Sequence, residues 1–400
     1  MRADERRRGL VFNFGFTAEQ EAYRVELARY ARTRLSPAYR DRAATTDFPW
    51  DAHKELAELG VLGVGLPEEF GGTGASPEDP VTLGMITETL AYGDPNVATA
   101  PVQTGLISAQ LAEGGSREVC ERYIPELIAG NAVSAIGVTE PGSGSDAAAM
   151  RTVAEPVPGG WRLSGEKIAI THVMWAKTIL IYARHPGSSR ASGVSCFLME
   201  TDGPGVTRGH MRGMGCQPLG WGSVAMDSVF VPAENLVGEE GRGFAAAMHH
   251  FDFSRSALGL LCLGAAHASL DEAAVYAQER EAFGQKIAEF QGVSFPLAEH
   301  ATYLEAARLL CYKALWARQA GLPHTDLAAM SKWWPPQVAL EAIQSAMKIH
   351  GNLGYSAELP IQQRHRDVMA YLIADGTSEI QKRIISKRVL QSAAQKWSSR

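Results

Sequence analysis

The sequence predicts a mostly helical α+β protein: an α-helical N-terminal domain, a middle antiparallel β domain and a C-terminal helix bundle. Apolar residues recur at three-to-four spacing near both ends of the chain, the period of an amphipathic helix. Between Ser134 and Gly243 they gather instead into short β-branched or aromatic runs punctuated by Gly, Pro and Ser, with no helical pattern between them. The 400 residues are 46% hydrophobic and 20% charged, a composition that packs cores rather than remaining disordered, and the length suits two to three domains.

Residues 1–16 read as a solvated tail and residues 17–133 as the first helical domain. Thr17 to Gln20 form a capping box, after which Tyr23, Leu27, Tyr30 and Ala31 keep helical spacing. Leu66–Gly74 reads as a loop, and further helices are expected over Val81–Tyr92, Thr104–Ala112 and Glu118–Ala129. In the β domain, 134–243, strands are expected at Trp161–Leu163, Lys167–Thr171, Thr178–Tyr182, Val194–Met199 and Val224–Val231. In 244–400, Leu297, Ala301, Leu304, Ala307, Cys311 and Leu315 trace an apolar stripe. Pro335-Pro336 predicts a break, with a new helix from about Gln337, and the last helix follows Thr377 with Ile380, Ile384 and Val389 inward.

A net charge of -6 gives no electrostatic reason to hold nucleic acid or an anionic membrane. The basic Met1–Arg8 segment is followed by too short an apolar run for a signal peptide. The longest apolar stretch, Ala257–Ala266, falls short of the ~18–20 residues that span a bilayer, so no transmembrane segment is expected. The five cysteines are widely spaced without a C-x-x-C pair, which fits a reducing cytoplasm better than a disulfide framework. His249-His250 point apart on a helix and lack partners at ligand spacing, so no metal is expected.

The most informative stretch is Ile136–Asp146, IGVTEPGSGSD. Its small residues let backbone N–H groups approach an anion or a flat ring, and Thr139 and Ser145 add hydroxyls. Taken alone, it reads more readily as an ordinary surface loop than as a cofactor cradle. This string resembles the T-E-P-G-x-G-S-D signature of the acyl-CoA dehydrogenase family. Further resemblances follow in order along the chain: Lys167–Thr171 to K-x-W-I-T, Asp252–Arg255 to D-x-x-R, Arg280–Gly284 with Phe290-Gln291 to R-x-x-F-G…Q, Ile349–Tyr355 to I-H-G-G-x-G-Y, and Arg366-Asp367 ahead of Asp375-Gly376-Thr377 to R-D…E-G-T. With the P-E-E-x-G-G of Pro67–Gly72, the likeness covers nearly the whole chain.

The resemblance implies an α domain, a small β domain and a four-helix bundle, with FAD between the last two and a neighbouring subunit completing the site in a homotetramer, or at least a dimer. By motif position Val138, Thr139, Gly144, Ser145 and Thr171 would line the flavin and ribityl side. Arg280, Phe283 and Gln291 would reach the partner's FAD, with Lys348 to Gly351 and Thr377 to Glu379 nearby. Arg280 also fits a plainer part, a cation at a helix C-terminus. Ser145, Asp252, Arg255 and Gly376 would serve the substrate. The implied reaction takes the α-proton and β-hydride of an acyl thioester, giving a trans-2-enoyl thioester, with an electron-transferring flavoprotein as acceptor. It needs a carboxylate base, hydrogen bonds to the thioester carbonyl and an electron sink. Alternatives are a flavin oxygenase on the same fold and a non-catalytic partner subunit.

Several positions depart from the family pattern. The residue in place of the E-G-T glutamate is Asp375, shorter by one C–C bond, ~1.5 Å. A base displaced by ~1 Å can lose about a hundredfold in rate, so Asp375 serves as base only if backbone or substrate moves to meet it; it also suits a helix cap. Ser254 stands where a minority of the family carries the base, and Ala169 where tryptophan is usual. Lys348 and Asn352 replace a glutamine and a glycine. These changes suggest an unusual acyl group, or a carrier such as an acyl carrier protein instead of CoA.

Overall fold

A computed structural model describes residues 15–74 and 79–398, with side chains to residue 394. The basic segment Met1–Arg8 therefore lies outside the described residues. The last residue of the expected tail is anchored, since the Phe16 ring meets Tyr312 edge-on at 5.3 Å.

The first region is helical: α1 (Ala18–Tyr30), α2 (Ser36–Ala43), α3 (Trp50–Glu58), α4 (Pro80–Gly93), α5 (Thr99–Gly114) and α6 (Arg117–Ile128), with a π turn at Ala31–Leu35. The Thr17–Gln20 capping box opens α1 as expected. Helices α2 and α3 carry only two or three buried side chains each, too weak a stripe to be read from spacing.

The sheet comprises β1 (Ser134–Gly137), β2 (Val153–Val157), β3 (Gly160–Ile170), β4 (Thr178–Arg184), β5 (Val194–Glu200), β6 (Val206–His210), β7 (Gly222–Pro232) and β8 (Leu236–Val237), in the order β6-β7-β3-β2-β4-β5-β8, with β1 beside β4. It is not purely antiparallel: β1 and the first residue of β2 both meet β4 in parallel register. The expected strands at Trp161–Leu163 and Lys167–Thr171 are one strand, β3, whose register against β7 shifts at Leu163/Gly165 and again at Lys167/Ile170. At the second shift Ala169 adopts a left-handed φ of 56°, bending the strand end toward the loop after β1.

The last region holds α7 (Gly243–Glu279), a hairpin of β9 (Glu281–Ala282) and β10 (Gln285–Lys286), α8 (Gln291–Gln319), α9 (Thr325–Ile349), α10 (Asn352–Tyr355), α11 (Ile361–Met369) and α12 (Ser378–Ser398). Helix α7 is long and apolar enough to cross a membrane, which corrects the expectation drawn from uninterrupted apolar residues; 67% of its most apolar window is buried inside the protein, as in a core helix. Helix α9 runs unbroken through Pro335 and Pro336, contrary to the expected break. Both prolines are buried, and the packing of α9 offsets the ~3 kcal/mol an interior proline costs. Proline 335 cannot donate to the Ser331 carbonyl, and Gly259 of α7 packs so near that oxygen that an added Cβ would lie 2.5 Å from it. Of the expected stripe on α8, Leu304, Ala307, Cys311 and Leu315 are buried, but Ala301 is exposed; on α12, Val389 is exposed as well.

Candidate active site

The glycine-rich loop after β1 is fixed at its root. Glu140 is buried and pairs with Lys167 Nζ at 2.8 Å, while its oxygens also accept from Thr152 Oγ1 (2.6 Å), Thr152 N (2.9 Å) and Arg151 N (2.6 Å). Lys167 Nζ also donates to the Val138 carbonyl at 3.0 Å, and Ile168 N to the Thr139 carbonyl at 2.8 Å, so loop and β3 lie side by side. Burial pulls the Lys167 ammonium down to about 8 against the pull of Glu140. Burial pushes Glu140 up, but Lys167 and the other donors overrule it and leave its carboxyl below the usual range. Both residues serve the loop's backbone, a role their motif positions alone did not disclose.

Above that root the loop is open. Val138, Thr139 and Thr171 are half-buried, Gly144 and Ser145 exposed, and a Cβ on Gly142 would meet nothing within 4 Å. Ser143 Oγ is buried without a hydrogen-bond partner. Small residues, free backbone and nearby hydroxyls make a cradle suited to a flat, polar-edged group.

The second half of the site is the turn between α11 and α12. Asp375 and Gly376 are both left-handed, with φ of 53° and 91°. A non-glycine residue held there stores strain of roughly 1–3 kcal/mol, which persists only where the surroundings enforce it. They do so from several sides: Gln381 Nε2 donates to the Asp375 and Gly376 carbonyls at 3.2 Å each, and Lys332 Nζ donates to the Tyr371 carbonyl at 2.5 Å. Thr377 Oγ1 takes the capping bond from Ile380 N at 3.4 Å. The half-buried Asp375 carboxylate instead accepts from Ser254 Oγ at 2.8 Å through Oδ2. Ser254 thus engages the carboxylate from α7, a pairing across the fold that no sequence spacing reveals.

Asp252 and Arg255 face each other rather than an open surface. Arg255 Nη1 donates to Asp252 Oδ1 at 2.7 Å, Thr325 Oγ1 donates to Oδ2 at 2.6 Å, and both acid and guanidinium are buried. Arg255 Nε is left without a partner, one donor still unspent beside Ser254. The remaining expected site residues lie on the outside of the single chain. Arg280 ends α7 as its C-cap residue, so its plainer part is real, and its side chain is exposed; Phe283, at φ 54°, is 97% exposed at the hairpin tip. Gln291, Lys348, Gly351 and Glu379 are exposed too, while Thr377 and Gly376 are half-buried. The structure therefore gathers the expected residues into a loop cradle, the Asp375 turn, the buried Asp252–Arg255 pair and an exposed set on the bundle. His250 pairs with Glu113 at 3.3 Å, and among the described residues no group of three His, Cys, Asp or Glu is placed to hold a metal.

Comparison with known proteins decides the family. The acyl-CoA dehydrogenase N-terminal domain matches residues 17–131, the middle domain 135–229 and the C-terminal domain 241–390. The chain belongs to the acyl-CoA dehydrogenase family. Among its relatives, a short-chain-specific acyl-CoA dehydrogenase of Clostridium acetobutylicum is 31% identical over 382 residues, covering 95% of this chain and 100% of that protein. The structure of butyryl-CoA dehydrogenase from Megasphaera elsdenii superposes with a TM-score of 0.90 at 31% identity, covering 95% and 100% of the two chains. PigA, solved with FAD and proline, superposes at 0.90 with 26% identity over 94% of this chain and 99% of that one. The family likeness thus runs through loop, base turn and bundle alike, and the Asp375, Ser254 and Lys332 arrangement stands inside it.

Proposed function

We propose that this chain is an FAD-dependent oxidoreductase acting on CH–CH bonds, dehydrogenating an acyl thioester at Cα–Cβ, with CoA as the carrier. The observation that carries this reading is the Asp375 carboxylate, held by Ser254 on a strained turn with its other oxygen free of any side-chain donor named above. Asp375 takes the α-proton. The ~1.5 Å deficit of the shorter side chain is met by the backbone, because the left-handed turn, fixed by Gln381 and Lys332, sets where the carboxylate starts from. Ser254 orients it, and the free Arg255 Nε lies alongside on the same helix.

The open cradle of Val138, Thr139, Gly144, Ser145 and Thr171, with the orphaned Ser143 hydroxyl, fits the flavin side of FAD. Bound there, FAD supplies the electron sink for the β-hydride. Arg280, Phe283, Gln291, Lys348, Gly351, Thr377 and Glu379 would reach FAD from a neighbouring copy, and a homotetramer is the assembly that reading requires. The exposed Phe283, Tyr355, Phe295 and Leu390 on the bundle support such self-association. Electron-transferring flavoprotein is the proposed acceptor, and the cytoplasm the proposed location, in keeping with five unpaired cysteines.

The test is anaerobic titration of the purified protein with acyl-CoA and acyl-carrier-protein thioesters, read as loss of flavin absorbance. Wild type bleaches with CoA substrates, Asp375→Asn does not, and Asp375→Glu is impaired less than Asn. Bleaching that Asn leaves intact assigns the proton to another group. Bleaching by carrier-protein thioesters alone replaces CoA.

A further inference from the structure

Lys332 is the oddest residue in the bundle: a lysine only 1% exposed, in the middle of α9, surrounded by Ala328, Ala329, Pro335 and Pro336, which are buried as well. A buried ammonium without compensation is costly, and so such groups are paired or functional. Its hydrogen bonds go to main-chain oxygens at the two ends of one segment: the Tyr371 carbonyl at 2.5 Å and the Gly376 carbonyl at 3.5 Å. That segment is the turn that carries Asp375. The neutral carbonyls satisfy donors but do not neutralise the charge, and Asp375 is the carboxylate whose field acts on it.

We propose that Lys332 is a positioning residue for the proton-abstraction step: its ammonium staples the Tyr371–Gly376 turn through the carbonyls of both end residues and so fixes where the Asp375 carboxylate stands. The inference rests on the reading of Asp375 as base. The charged and titratable groups acting on Lys332 are Asp375 from the turn and Cys262 and Arg255 from α7. Burial draws the ammonium below its usual range, Asp375 and Cys262 draw it back up, and Arg255 opposes them. Burial pushes the Cys262 thiol up to about 12, so Cys262 supplies no anion at working pH.

This arrangement also accounts for the uninterrupted α9. Pro336 cannot donate to the Lys332 carbonyl, and Pro335 cannot donate to that of Ser331. The helix that seats the staple is therefore held by side-chain and packing contacts at this point, and the Lys332 bond to the turn is one of them.

The experiment compares Lys332→Met, Lys332→Gln and Lys332→Arg with wild type in the pH dependence of kcat/KM on butyryl-CoA, alongside Asp375→Asn. Without the staple the carboxylate is no longer held in place, so Met and Gln lower kcat/KM by about tenfold at every pH, while Arg keeps most of it. An unchanged kcat/KM in Met and Gln, with Asn still inactive, overturns the role of Lys332 and leaves the base standing. An active Asn variant overturns the base itself. A second readout needs neither substrate nor FAD: urea unfolding of the cycle formed by Lys332→Gln and Asp375→Asn. The two substitutions couple by about tenfold in the unfolding constant if the staple and the turn support each other, whereas additive effects overturn the staple.

Discussion

Asp367 and Asp375 lie on the same short stretch of chain, yet they are opposites. Asp367 is fully buried, and four donors surround it: Tyr39 Oη (2.6 Å) and Asn96 Nδ2 (2.9 Å) at Oδ2, Cys216 N (2.6 Å) and Gln363 Nε2 (2.7 Å) at Oδ1. Those donors come from the N-terminal helices, the sheet region and the bundle, so one carboxylate joins all three. Burial pushes its pKa up and the four donors pull against it. Asp375 accepts from Ser254 through one oxygen and sits half-buried on a strained turn. A carboxylate offers about four lone-pair sites, and filling them all makes a joint, whereas leaving some open makes a reagent. Under the proposed function, the difference between these two acids is a difference in how many donors the fold aims at each.

The largest effect is expected where the joint is broken. Asp367→Ala leaves buried donors from three regions unpaired, each costing roughly 1–3 kcal/mol, so unfolding in urea should shift by at least about 3 kcal/mol. A shift below ~1 kcal/mol would show the contrast to be geometric only. At the other acid the weight shifts: Asp375→Asn should cost at most about 1.4 kcal/mol of urea stability, well short of Asp367→Ala, while the bleaching rate falls by at least about a hundredfold. Ser254→Ala comes next, removing one charge-assisted bond of about 1.5 kcal/mol and slowing bleaching by about tenfold. Unchanged kinetics in Ser254→Ala would mean that the turn alone aims the base.

These contrasts also explain what the sequence disclosed. Helical spacing and β-branched runs marked the three regions, and the Gly/Ser string with its ordered companions marked loop and base turn, because each signal is local. The pairing of Ser254 with Asp375 spans 121 residues and that of Tyr39 with Asp367 spans 328, and no spacing rule reaches so far. Lys332 did leave a local trace, a charge amid Ala, Trp and Pro, but its target was visible only once the turn was folded over it. The continuity of α9 was illegible for the same reason: proline's cost is local and the packing that offsets it is not.

The effect that vanishes at neutral pH concerns a seam that uses no carboxylate. His53 on α3 and His172 after β3 are buried on either side of Phe48, whose ring meets theirs at 5.3 Å each. Burial lowers His53 to about 4 and His172 to about 3, in the second case with His53 adding to it, so both are neutral in the folded protein at working pH. In the unfolded chain they take up protons below the ordinary 6.5. Stability is therefore full above 6.5 and falls as pH drops from 6.5 toward 4, by up to ~1.4 kcal/mol per pH unit for each histidine. Asp94, pushed by burial up to about 6, pulls the other way in part of that range, since the folded state then holds its proton more tightly. A difference between wild type and His53→Gln cancels Asp94 and isolates one imidazole. The urea stability of wild type should decline more steeply than that of the variant between pH 6.5 and pH 4. Parallel curves would mean that acid loosens the protein at its carboxylates instead, returning the weight to joints such as Asp367.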